Sequence, residues 1–126
     1  MLKTLLFIAI GGAFGAVMRF LSQVTVYELV GRTFPFGTLF VNVVGSFLMG
    51  LFSVFLVEKF NLSAEWHLAI LVGVLGSFTT FSTLSIENLV LLEQGDLLKA
   101  MTNILLSIVL CISAVWAGAY FAKQLV

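Results

Sequence analysis

Gly73-Val74-Leu75-Gly76-Ser77-Phe78-Thr79-Thr80-Phe81-Ser82-Thr83 lies inside an apolar stretch that runs from about Trp66 to Leu92. A lipid-facing helix would ordinarily carry Leu, Ile or Val at these positions. Instead Gly76 is followed by six hydroxyl side chains: Ser77, Thr79, Thr80, Ser82, Thr83 and Ser85. Glycine is also the poorest helix former after proline. The helical rise from Trp66 to Gly76 covers about 15 Å, half of a hydrocarbon core about 30 Å thick, so the cluster is expected near the bilayer midplane. Non-helical backbone at that depth is tolerated only where it is buried in protein or lines a polar cavity. A break here would free carbonyls for a cation, and amides and hydroxyls for an anion. The alternative is an unbroken helix whose Ser and Thr side chains bond back to the preceding turn. The coincidence of Gly76, the hydroxyls and the depth favours a break near residues 76–80.

Outward from this stretch, three more apolar runs are long enough to cross a membrane. They extend from about Thr4 to Val30, Phe36 to Val57 and Leu98 to Ala122. The linkers between spans collect Gly, Pro or charges, as turns leaving a bilayer do, and none is long enough for a separate soluble domain. The chain therefore reads as one all-α transmembrane domain over residues 1–126. Lys3 ahead of an apolar run could suggest a signal peptide. The run is too long, and three comparable segments follow it, so a first span is expected. Composition agrees: 61% of residues are hydrophobic and only 10% are charged, too few charges to clothe a soluble globule. Six basic residues balance six acidic ones, which leaves no basic face for nucleic acid. A single Cys and a single His exclude a disulfide framework and a zinc site built from those residues alone.

With four spans, both termini and the middle linker share one side. That side holds Lys3, Lys59 and Lys123, against Arg32 and Lys99 on the other. This imbalance hardly sets an orientation under the positive-inside rule. Such a chain is suited to an antiparallel homodimer, the inverted-repeat architecture of many transporters made from two copies; the alternative is one orientation fixed at insertion. Helix contacts are expected at small residues: Gly11, Gly12, Gly15 and Ala16; Ser46 and Gly50; Ala114 and Gly118.

Isolated polar residues mark the neighbouring spans. Asn42 is either an interhelical bridge or an N–H donor to a passing anion. Asn103, Ser107 and Cys111 recur every four residues and share one helical face, as interhelical glue or as the wall of a polar pathway. Glu87 lies beyond the hydroxyl cluster, and an intramembrane carboxylate is a functional candidate by default; the structural alternatives are pairing with Arg19 or snorkelling to the headgroups. Taken alone, these residues support an ion or small-solute pathway without naming the solute.

Gly76 to Thr83, together with Gly11-Gly12-Ala13-Phe14-Gly15-Ala16, Arg19, Gly37-Thr38 leading to Asn42, and Ser85-Ile86-Glu87, resembles the Fluc (CrcB) family of fluoride ion channels. The resemblance covers nearly the whole chain in the same four-span order; the hydroxyl-rich motif is its specific part. It implies a dual-topology antiparallel homodimer in a bacterial plasma or inner membrane. Two fluoride pathways and one central structural sodium ion are implied with it. By resemblance, the carbonyls of Gly76 and Thr79 hold the sodium, while Asn42, Phe81, Ser82, Thr83, Leu84, Ser107 and Cys111 line the pathway, with Arg19 and Glu87 as supporting charges. The family places a second phenylalanine three residues after the first. Here that position is Leu84, which lacks the positive ring edge an anion can lie against. The alternatives are that Phe81 and the hydroxyls suffice, that Phe78 or Phe47 fills the place, or that a paired chain supplies the ring in a heterodimer. A thiol at Cys111 is likewise a weaker donor than a hydroxyl.

The residue types suit fluoride on physical grounds. A pathway must replace a tight hydration shell with neutral donors, yet bind weakly enough to release the ion. A midplane cation would offset the cost of bringing an anion into low dielectric. The expected activity is passive fluoride export that relieves fluoride toxicity. The nearest rival is a small multidrug-resistance-type, proton-coupled exporter. It needs a carboxylate buried in the first span, where this chain carries Arg19 and places Glu28 only near the end. A non-transporting assembly factor would leave the polar cluster unexplained. An enzyme is not expected, because His67 is placed at an interface with no buried acid partner.

Overall fold

A computed structural model describes residues 1–126 as an all-α chain with four helical segments long and apolar enough to cross a membrane. They run Leu2–Val30, Phe36–Lys59, Ala64–Glu93 and Leu97–Leu125, and are called here the first to fourth spans. Their turns follow from local chemistry. The first span stops at Gly31, whose φ of 83° is open to glycine and whose N–H caps the Tyr27 carbonyl. Pro35 then starts the second span, where its missing N–H costs nothing. Asn61, in the next linker, takes a left-handed φ of 42°, a conformation Asn tolerates better than most residues.

Packing depends on close backbone approach. The second and fourth spans form one tight pair: a Cβ on Gly50 would collide with the Val115 carbonyl, and one on Gly118 with the Phe47 carbonyl. The first span seats Gly11 and Gly15 against the backbone carbonyls of Ala69 and Val74 on the third. Facing them, residues Leu68–Leu75 are wound as a wider π-helix, and a Cβ at Gly73 would meet the Ile8 carbonyl at 2.8 Å. In lipid, such contacts supply the attraction that hydrophobic exclusion supplies in water.

The third span changes conformation along its length. After the π-helical segment, Gly76–Phe78 is α-helical. Thr79 (φ −82°, ψ 154°) and Thr80 (φ −151°, ψ 118°) are extended, and α-helix resumes over Phe81–Glu93. Thr80 caps the new helix, its Oγ1 accepting from the Thr83 N–H at 3.1 Å. Thr79 closes the preceding turn, its hydroxyl donating to the Leu75 carbonyl at 3.0 Å.

Burial is inverted relative to a water-soluble protein. Only 23 of 126 residues are buried, and these include Thr38, Asn42, Thr80, Asn88, Asn103 and Ser107. The outside is rich in exposed Leu, Ile, Val and Phe, as a surface facing acyl chains requires.

Candidate ion pathway

The extended pair at Thr79 and Thr80 opens onto a cavity of about 360 Å³ between the second, third and fourth spans. Five residues singled out from sequence line it: Asn42, Phe81, Leu84, Ser107 and Cys111. Gly45, Ser46, Met49, Thr79 and Thr80 contribute to the same wall. Ser82 and Thr83 do not line it. They belong to a small hydroxyl cluster beside it, with Thr80 Oγ1 3.0 Å from Thr83 Oγ1 and 3.3 Å from Ser82 Oγ. Phe78 and Phe47 do not line it either. Phe78 packs instead beside Gly45, where an added Cβ would approach its ring at 3.0 Å.

Asn42 is anchored more firmly than its type alone would suggest. Its Nδ2 donates to the Thr80 carbonyl at 3.0 Å, and its Oδ1 accepts from the Thr80 N–H at 2.7 Å. This reciprocal pair replaces the helical bonds that Thr80 forgoes by being extended. An amide nitrogen carries two hydrogens, so Asn42 keeps one N–H uncommitted at the cavity wall. Ser107 Oγ is buried with no partner in the chain. Phe81 is 79% exposed.

The carbonyls of Gly76 and Thr79 fit a cation-holding role. In an unbroken helix they would accept from the N–H groups of Thr80 and Thr83. The first is bound to Asn42 Oδ1 and the second to Thr80 Oγ1. Both carbonyls are therefore released from their helical donors, which is the chemistry a hard monovalent cation requires.

Glu87 sits farther along the third span, in a separate polar cluster. Its Oε1 accepts from Thr38 Oγ1 at 2.7 Å and from the Tyr27 hydroxyl at 3.0 Å, and Gln23 Nε2 donates to Thr38 Oγ1 at 3.1 Å. Pairing with Arg19 does not occur: the ion pairs of the chain are Lys3–Glu65 and Lys99–Asp96. Two neutral residues, Tyr27 of the first span and Thr38 of the second, bond Oε1 instead, while Oε2 is buried without a partner. This cluster adjoins a second cavity of about 320 Å³ lined also by Arg32 of the first linker and Lys99 in the first turn of the fourth span.

Sequence reasoning missed Tyr27, Gln23, Thr38 as a Glu87 partner, and Asn88. Asn88 donates to the Leu84 carbonyl at 2.8 Å and accepts from Asn103 Nδ2 at 3.4 Å, joining the third and fourth spans. Its signal was available, since an Asn in an apolar stretch one residue after Glu87 carries the same cost as Asn42. Asn103 thereby serves as interhelical glue, while Ser107 and Cys111 on the same face line the cavity.

These features define a small multi-pass membrane protein with a neutral, donor-lined cavity between its spans. Residues 6–119 match the family described as CrcB-like protein, Camphor Resistance (CrcB), and the chain belongs to that family. Three bacterial relatives each carry the name fluoride-specific ion channel FluC. The protein of Methylococcus capsulatus is 57% identical over 118 residues, covering 94% of this chain but only 52% of that protein. That of Shewanella amazonensis is 50% identical over 117 residues, 93% of this chain and 94% of the relative. That of Geobacter sulfurreducens is 47% identical over 124 residues, 98% of this chain and all of the relative.

Proposed function

We propose that this chain forms a fluoride-selective channel that lets the ion leave the cell passively and so relieves fluoride toxicity. The names of its relatives support the ion; the cavity built on Asn42, Phe81 and Ser107 supports the route. The observation that carries the reading is the Asn42–Thr80 reciprocal pair, which leaves one amide N–H at the cavity with no fixed charge beside it. An anion passing there exchanges water for the Asn42 N–H, the Ser107 hydroxyl and the edge of Phe81, none of which binds it tightly enough to trap it.

The working unit is an antiparallel, dual-topology homodimer. Two features support it: near-balanced linker charges, and Phe81, a pathway ring left exposed in the single protomer. A sodium ion sits at the dimer centre, held by the Gly76 and Thr79 carbonyls. Its positive charge offsets the cost of an anion at the midplane.

Fluoride efflux from reconstituted liposomes, followed with a fluoride electrode, is expected to exceed chloride efflux by orders of magnitude; equal fluxes would remove the assignment. Cysteines placed at Lys3 and Lys123 should label from both sides of the membrane, whereas one-sided labelling would defeat dual topology. A heterodimer with a paired chain is the second reading. It rests on Phe81 being the sole aromatic ring on the cavity wall, and full activity of the chain alone would end it.

A further inference from the structure

A third cavity, of about 360 Å³, runs along the seam between the first and third spans. Helical spacing builds it. Phe7, Gly11 and Phe14 recur on one face of the first span, and Trp66, Ala69 and Val74 answer them on the third. Gly11 and Ala69 are buried, whereas Phe14 and Trp66 are exposed, so small residues form the floor of a trough and large ones its rim. From Phe7 to Phe14 the helix rises about 10 Å, which fits within one leaflet of a hydrocarbon core about 30 Å thick. The outer end of the trough is charged. Lys3 Nζ lies 5.7 Å from the centre of the Phe7 ring, which meets the Trp66 ring edge-on at 5.0 Å. Glu65, next to Trp66, faces the same lysine at 3.7 Å. That separation is longer than a hydrogen bond, so the pair does not consume its donors and acceptors on each other.

An apolar trough within one leaflet, with a cation and a carboxylate together at its outer end, matches a zwitterionic phospholipid. We propose that phosphatidylethanolamine occupies this seam: one acyl chain lies between Phe7 and Val74, the phosphate meets Lys3, and the primary ammonium meets Glu65. Charge complementarity selects the headgroup. Phosphatidylglycerol offers Lys3 a phosphate but brings no cation for Glu65. The quaternary ammonium of phosphatidylcholine carries no N–H to donate to the carboxylate. Trp66 suits the level of the headgroup, since Trp is enriched where hydrocarbon meets the polar region. Along the seam the chain is held by close contact rather than by exclusion from water, as helices themselves are in lipid. The site is separate from the ion pathway, whose cavity lies between the second, third and fourth spans, and it does not rest on the fluoride reading.

Native mass spectrometry of the intact protein tests this. The micelles hold equimolar phosphatidylethanolamine, phosphatidylglycerol and phosphatidylcholine with identical acyl chains. Phosphatidylethanolamine adducts should outnumber each of the others at least fivefold; equal retention overturns the site. Glu65→Gln should bring phosphatidylethanolamine down to the level of phosphatidylcholine, and Lys3→Gln should lower its retention at least fivefold. Lys123→Gln removes a cation from the same side of the membrane but outside the trough, and should change neither ratio. An equal loss in Lys123→Gln and Lys3→Gln would reduce the effect to general surface charge and overturn the site. A wild-type measurement needs no variant to fold. In liposomes, phosphatidylethanolamine with a photoreactive diazirine midway along one chain should label residues 7–14 and 66–74. Label spread evenly over all four spans, or absent from the seam because a second copy covers it, overturns the proposal. Every readout is lipid retention or labelling, so a failure of the channel reading leaves the test intact.

Discussion

The cavity beside Thr80 and the cluster around Glu87 lie on one span, about 10 Å apart along the helix axis, yet they handle polarity in opposite ways. At the cavity every polar group is neutral, and Asn42 and Thr80 satisfy each other's backbone-type donors and acceptors. At the other cluster a carboxylate is held by Thr38 and Tyr27, with Gln23 behind them. Depth accounts for the difference. The cost of a charge is greatest at the bilayer centre and falls towards the interface, and Glu87 adjoins a cavity that Arg32 and Lys99 also line. The middle of the span thus offers donors without charge, and the carboxylate stands nearer the span's end.

The largest effect should come from Asn42→Leu. It removes both bonds to Thr80 and strands two buried backbone groups, so fluoride flux should vanish. Unfolding in detergent should also cost about 1–3 kcal/mol. Unchanged stability would mean that the extended backbone at Thr79 and Thr80 holds without its partner. Phe81→Ala should abolish flux with little change in the stability of the single chain, because the ring is 79% exposed. A comparable loss of stability would place the ring in structural packing instead.

On the charged side, Thr38→Val deletes the donor to Glu87 and should cost about 1 kcal/mol, within the range for single intramembrane hydrogen bonds. Glu87→Gln keeps an acceptor oxygen and should cost less than Thr38→Val in the same unfolding assay. The reverse order would show that the negative charge itself matters to folding. The smallest effect is expected at the start of the fourth span. Lys99, 2.7 Å from Asp96, holds that half-buried carboxyl below its usual range. A depressed folded-state value means the contribution is present above the unfolded value and fades as pH falls through the folded one. Solvent screening makes it small, so Lys99→Met should leave melting at pH 7 unchanged within error.

Several parts of the site were legible before any coordinates. Hydroxyl density after Gly76 marked the region that contains the two extended residues, because side chains this polar are costly in lipid unless they face protein or a cavity. The four-residue spacing of Asn103, Ser107 and Cys111 placed them on one face, since helical periodicity is local. Other parts were not legible. Glu87 could be recognised as exceptional, but its partners are Thr38 and Tyr27 rather than Arg19, and that depends on how three helices rotate about their axes.

From sequence alone follow the membrane as solvent, the four spans and the depth of the polar cluster, because hydropathy and helical rise are properties of the chain itself. Family membership joins them, since residue order carries it. Tertiary structure decided which glycine meets which carbonyl, and that Asn42 spends itself on Thr80. Those facts rest on contacts between residues distant in the chain, and in lipid such contacts are chosen by close-packed shape, which no single helix encodes.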